Sequence, residues 1–328
     1  MDFLPFADES LMRLLRLPGL HGMKALALLA AFGRRFRVLR RAATYDAVVL
    51  HRSAALFGPA LLERSLPGRT PLIYDFDDAI FLQHTAAVNR WFGWLKFAGK
   101  TATICRLAHH VVVGNGYLAE YAGRYNSRVT IVPTSIDTDT YRPQPKLTPG
   151  GPVTVGWTGS STSQTHLEMF VPTLRALVAR RAIQLRVISN RPPDLKDVPH
   201  VWEPWDASRE AEAIGGFDIG IMPMPDDAWS QGKCALKALQ CMATGVATVA
   251  SAVGANREVI EHGKNGLLAG SPEEWLFHLE RLIDDPGLRA RLGVEARRTV
   301  VEKYSLERSA SLLSKVILDT VAQGFRRS

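Results

Sequence analysis

Two doubly wound α/β domains are the fold class this sequence predicts, and three observations predict it. Short apolar runs alternate with helical stretches, the Pro/Gly-rich "YRPQPKLTPGGP" (141–152) parts them into two sets, and 328 residues at 46% apolar composition suffice for two cores. The first set of strands reads "DAVVL" (46–50), "PLIYDF" (71–76), "HHVVVG" (109–114) and "VTIVP" (129–133). The second reads "VTVGW" (153–157), "QLRVIS" (184–189), "FDIGIMP" (217–223) and "ATVAS" (247–251). Continuous Val/Ile runs joined by helices imply parallel sheets covered on both faces. The expected domains are residues 1–145 and 151–304, with a helical stretch over 305–328 crossing back to the first. A ligand is expected in the cleft where strand C-terminal ends face each other.

Charge is uneven. Residues 1–150 hold 19 Lys+Arg against 11 Asp+Glu, a balance of +8, and the remainder holds 21 of each. The first half therefore meets something anionic, a membrane surface or a phosphorylated acceptor, unless it is merely an ordinary basic surface. The three cysteines, Cys105, Cys234 and Cys241, show no CxxC spacing, which predicts a reduced intracellular protein without disulfides or zinc. No apolar run reaches the roughly 20 residues of a membrane span. Met23 to Phe32 is followed by "GRRFRVLRR", and the basic residues come after the apolar stretch, which disfavours a signal peptide. Ala25, Leu28, Leu29, Phe32, Phe36 and Leu39 form a helical stripe beside Arg34, Arg35, Arg37, Arg40 and Arg41. That pattern suits either an interfacial helix on anionic lipid or a surface helix with solvated arginines.

Two loops are placed to hold phosphate. "TGSSTSQTHLEMF" follows the strand ending at Trp157, and its small residues, Gly159, Ser160, Ser161 and Thr162 among them, open a helix whose free amides favour an anion. It is neither GxGxxG nor a Walker loop, which removes most of the weight from dehydrogenase and kinase readings. "WSQGKCALKALQCMATGV" (229–246) has the same layout, with a helix expected to start near Gly232 or Lys233. Lys233, Lys237 and Gln240 then share one stripe, and Leu236, Leu239, Met242 and Ala243 the other. Lysines oppose the dipole at a helix N-terminus unless something negative is bound there; a solvated surface pair is the other reading.

From Gly216 to about Tyr304 the chain resembles the nucleotide-sugar half of GT-B glycosyltransferases of family 4. The resemblance rests on the strand before Pro223, "MATGVATVAS", "GANREVI", "HGKNGLL" and "LIDDPGLRARLG". In the first half "YDAVVLHR", "PLIYDFDDAIF", "AHHVVVGNGYLAEYAGRY" and "VTIVPTSIDTDTY" look like units of the acceptor domain. The resemblance implies transfer of a sugar from a nucleotide diphosphate to an acceptor hydroxyl, retaining and without metal or cofactor, in cell-surface polysaccharide or glycolipid synthesis. Its partners would be a nucleotide-sugar donor and a glycan or lipid-linked acceptor, with no nucleic acid, and the basic first half adds an anionic membrane surface as the alternative to an ordinary basic surface. The protein would be cytoplasmic or peripheral on the inner face of the membrane. A nucleotide-sugar or glycan-binding relative without activity is the alternative; an epimerase would need carboxylates around the donor ring.

Three departures qualify the likeness. Two glutamates eight apart, one for the donor sugar and one for the ribose, align with Gly232 and Gln240, so an amide replaces the ribose carboxylate; Asp226 and Asp227 are available for the sugar. The diphosphate-binding Arg and Lys expected after the first strand of the second domain are missing from "GWTGSSTSQTH", leaving Lys233 and Lys237, with Ser230 and Glu258 nearby, as donor contacts. The chain also enters at what would be a second strand, "DFLPF". In "YDFDDAIF", Asp75 and Asp77 form a DxD pattern that would suit a hard cation. The resemblance instead makes Asp75, Asp77 and Asp78 residues that orient the acceptor, together with His51; capping of the next helix is the plainer role. His109 and His110 begin a strand and are expected to be structural. Trp202 and Trp205 are expected in a loop near the base.

Overall fold

The computed structural model describes residues 2–17, 19–55, 58–66, 68–82, 97, 99–144 and 151–325. The chain divides into two compact units, residues 1–132 with 312–328, and 133–311.

The first unit opens with two helices, α1 (Glu9–Arg16) and α2 (His21–Arg40), and a 3-10 turn, Arg41–Thr44. Residues 2–6, expected as a strand, form none; without neighbouring strands their backbone has nothing to pair with. Four parallel strands follow: β1 (Val48–His51), β2 (Leu72–Phe76), β3 (His110–Val113) and β4 (Val129–Ile131), adjacent in sequence order. Between them lie α3 (Leu61–Arg64), α4 (Lys100–Leu107) and α5 (Gly116–Gly123). Asn115 starts α5 by accepting the Leu118 amide at 2.9 Å. Ile73 and Val112 pack with Val316 of the C-terminal helix on one face of the sheet. Phe6, Leu11, Ala31 and Ala55 form a separate cluster under α1 and α2.

The second unit is built on six parallel strands in the order β10-β9-β8-β5-β6-β7. In chain order these are β5 (Val153–Gly159), β6 (Ile183–Ser189), β7 (Val201–Pro204), β8 (Ile219–Met222), β9 (Ala247–Ser251) and β10 (Leu267–Ala269). Its helices are α6 (Gln164–Met169), α7 (Val171–Arg180), α8 (Glu210–Gly215), α9 (Ala228–Gln231), α10 (Leu236–Ala243), α11 (Asn256–Val259), α12 (Pro272–Asp284) and α13 (Pro286–Lys303), followed by α14 (Leu306–Phe325), which the two units share. Trp157, Leu174, Leu185, Val249 and Leu279 belong to a core that joins the strands to α7 and α12. Met222, Leu239, Met242, Ala250 and Val300 belong to another, joining them to α10 and α13. A sheet so covered needs continuous apolar strands, and β9 is buried at all five positions.

The division at Val132/Pro133 falls before the Pro/Gly-rich stretch, of which residues 145–150 lie outside the described residues. The reason is local: Ile136 bridges to Ser305, and the Arg297 guanidinium donates to the carbonyls of Thr138 (2.8 Å), Tyr141 (2.5 Å) and Ala243 (3.0 Å), so residues 133–144 are fixed to the second unit. Helix α14 begins in the second unit and belongs to the first from Leu312. Among the described residues no helix is long and apolar enough to cross a membrane.

Candidate functional site

In the second unit a cationic site forms around Lys237. Helix α10 starts at Leu236, three or four residues later than the start expected near Gly232 or Lys233, because Ala235 takes a left-handed conformation (φ 57°) and α9 occupies Ala228–Gln231. Lys237 therefore lies in the first turn of α10, and Lys233 lies in the link before it. The first i to i−4 bond of α10 runs from Leu239 N to Ala235 O, so the amides of Leu236, Lys237 and Ala238 lie ahead of it.

The Lys237 amine donates to Ser163 Oγ at 2.7 Å and stands 4.7 Å from the centre of the Trp157 ring. Among the described residues it makes no ion pair. Gly159 gives it room, since a Cβ there would stand 2.7 Å from Lys237 Nζ. Burial, reinforced by repulsion from Lys233, pulls the Lys237 amine down to about 8. Lys233 stands 4.8 Å over the Trp229 ring. His166 feels both lysines: burial first, then Lys237, lowers its pKa, so the ring is held neutral, while Asp227 opposes this.

The loop after β5 supplies the other wall. Ser160 and Thr162 share a hydroxyl hydrogen bond at 2.8 Å, and the Ser161 amide donates to Asn190 Oδ1 at 2.7 Å. Gln164 is buried and locks the loop to the end of β6 through Ser189 Oγ (3.1 Å) and the Arg191 carbonyl (2.6 Å). Gly159, Ser160, Ser161 and Thr162 thus meet Lys237 through Ser163 as parts of one site.

Other expected donor residues lie elsewhere. Gln240 is buried and donates to Tyr141 Oη (3.0 Å) and Glu210 Oε2 (3.0 Å). Glu210 also accepts from Trp205 Nε1 (2.7 Å) and from the Tyr141 hydroxyl, whose pKa burial and this carboxylate push upward. The amide at position 240 is therefore paired with a carboxylate from α8. Ser230 is wholly buried in α9, where its amide meets the Asp227 cap at 2.7 Å, and Gly232 is buried behind it. Asp226 accepts from Gln231 at 2.6 Å. Glu258 is exposed on α11, its carbonyl 3.4 Å from the Tyr304 hydroxyl. Trp202 is on strand β7, not in a loop, and donates to Ser189 Oγ at 3.1 Å. Sequence reasoning passed over Trp157, Ser163, His166, Tyr141 and Glu210. Trp157, Ser163 and His166 all fall within "GWTGSSTSQTH", and an aromatic residue ending a strand before a small-residue loop was the available signal.

In the first unit the parallel register sets His51 against Asp75 at the ends of β1 and β2. His51 Nδ1 lies 2.7 Å from Asp75 Oδ2, a hydrogen bond that raises the imidazole pKa, and Nε2 lies 4.0 Å from Asp77. Arg52, in a left-handed conformation (φ 60°), spans Asp77 (3.0 and 2.8 Å) and Asp78 (2.8 Å). Its carbonyl accepts from the buried Tyr74 hydroxyl at 2.8 Å, which holds that conformation in place. Each of the three aspartates thus has a basic partner within the chain. Among the described residues no group of three or more His, Cys, Asp or Glu side chains is placed to hold a metal. His110 begins β3 and pairs with Thr130 at 2.8 Å, and His109 accepts the Leu72 amide at 3.1 Å; both are structural contacts.

The fold is that of the GT-B glycosyltransferases. Residues 152–285 match the family described as glycosyl transferases group 1. The structure is similar to sucrose-phosphate synthase from Thermosynechococcus elongatus, at 15% identity over 92% of this chain and 80% of that one, with a TM-score of 0.72. It is also similar to Anabaena HepE in complex with UDP and glucose, at 15% identity over 95% and 90%, with a TM-score of 0.67. A glycosyltransferase from Rickettsia africae is similar at 12% identity over 88% and 81%, with a TM-score of 0.65. No curated protein matches the chain.

Proposed function

We propose that the protein moves a sugar from a nucleotide diphosphate to an acceptor hydroxyl with retention of configuration, and that Lys237 holds the diphosphate. One observation carries the reading: a half-buried lysine, fixed by Ser163 and Trp157 at the start of α10, has no carboxylate partner among the described residues. A cation partly withdrawn from water without an anion beside it is less favourable until one arrives. As the glycosidic bond breaks, charge grows on the leaving diphosphate, and fixed donors aimed at that charge lower the barrier. The amides of Leu236 and Lys237, the Lys237 amine and the hydroxyls of Ser160 and Thr162 are such donors.

The paired carboxylate of Glu210, with Trp205 and Tyr141, supports a nucleoside site beside Gln240. The cluster of His51, Asp75, Asp77, Asp78 and Arg52 supports orientation of the acceptor. Because Arg52 and His51 already pair with these carboxylates, transfer is expected to proceed without a divalent cation. The donor is expected to be a UDP-sugar, by likeness to the HepE complex. The acceptor is a glycan or lipid-linked glycan in cell-surface polysaccharide or glycolipid synthesis, met at an anionic membrane.

Thermal melting with UDP, UDP-glucose, GDP and ADP tests the donor site, since a bound ligand raises apparent stability by mass action. A rise with a uridine ligand in the wild type, lost in Lys237→Met, is the expected result; equal rises in both proteins would remove the role given to Lys237.

A further inference from the structure

Helix α2 is apolar on two sides. Leu28 and Phe32 turn inward onto Phe6, Leu11, Ala31 and Ala55, and Leu39 is buried. On the outer side Met23, Leu26, Leu29 and Phe36 are 53%, 68%, 67% and 46% exposed. The stripe expected from sequence mixed the two: Leu28, Phe32 and Leu39 are packing residues, whereas Leu29 and Phe36 face solvent. Residues 25–33, "ALALLAAFG", contain no polar side chain, so the outward face is apolar through its middle. It ends in Arg37, Arg40 and Arg41, all exposed. Between Glu9 and Asp46 the sequence holds eight Lys and Arg and no Asp or Glu.

We propose that this outward face of α2 seats the protein on an anionic membrane, with Leu26 and Leu29 entering the acyl boundary and Arg37, Arg40 and Arg41 meeting lipid phosphates. The inference rests on the membrane-borne acceptor proposed above and names the surface that would meet it. Charge decides the occupant. A second copy would bring two carboxylate-free cationic segments together, whereas anionic headgroups neutralise one. An apolar stripe flanked by arginines on a helix of 20 residues is suited to lying in the interface plane.

Sedimentation of the full chain with vesicles tests this. Vesicles of phosphatidylcholine containing about one third phosphatidylglycerol should bind the protein, pure phosphatidylcholine should not, and salt should weaken the binding. The double variant L26E/L29E should partition at least about tenfold less, while its melting temperature and its response to UDP stay unchanged. R37E/R40E supplies a second reading if L26E/L29E melts lower. Equal binding to both vesicle types, no binding to either, or wild-type partitioning of both variants would overturn the proposal. So would a dimer that L26E/L29E dissolves. Failure of UDP to shift melting would count against the donor site alone and leave this surface standing.

Discussion

Lys237 is the residue whose removal should help the empty protein and harm the loaded one. Its amine sits near 8 when folded against 10.5 in a free side chain, so between those values the unfolded chain binds more protons and stability rises with pH. Lys237→Met should abolish that rise and melt higher than wild type at pH 7 without ligand, while binding UDP at least about tenfold more weakly. A diphosphate would favour the charged amine, so binding above pH 8 should take up protons, visible by calorimetry in buffers of different ionisation enthalpy. His51 has the opposite linkage. The hydrogen bond it donates to Asp75 raises its pKa, so its contribution to stability is present below 6.5 and is lost as pH climbs through the raised value. Asp75→Asn should move the His51 titration down, as followed by NMR of the imidazole protons; an unmoved titration would show that the pair does not form in solution. The lysines and aspartates of both sites were legible in the sequence because charged residues at strand and helix ends have few structural uses. Glu210 and Tyr141 were not, since only folding brings residues 69 apart within hydrogen-bonding distance of one another.

At the scale of elements, the strands read best where burial is complete. β2, β8 and β9 are almost wholly buried and were visible as apolar runs. β7 was missed because an edge strand needs only half its residues apolar and tolerates the proline at its end. The start of α10 was misplaced because "GKCAL" contains good helix formers, and nothing in an alanine announces a left-handed backbone. Packing between helices gives a sharper test. Gly293 on α13 lies against the Gly245 carbonyl oxygen, where an added Cβ would collide with backbone that cannot turn away. Gly293→Ala should therefore destabilise the second unit by roughly 1–3 kcal/mol in urea melts. Ala at Gly123, where nothing lies within 4 Å, should not.

At the scale of the whole molecule, the first unit is completed by the last helix of the chain. Val316 is buried with Ile73 and Val112, so Val316→Asp places a charge in that core and should cost roughly 3 kcal/mol or more. The expected calorimetric trace separates into an early transition of the first unit and a later one that UDP still shifts. The two strand sets were readable from the alternation of strands and helices; the attachment of residues 133–144 to Arg297, 156 and 159 positions from Tyr141 and Thr138, was not. One feature also makes the molecule its own instrument. Lys237 stands over Trp157 and Lys233 over Trp229, and an ammonium near an indole perturbs its electronic states. An anion that draws those amines off their rings would then announce itself in the intrinsic emission of the protein, so donors can be ranked by fluorescence titration with no dye, label or acceptor in the cuvette.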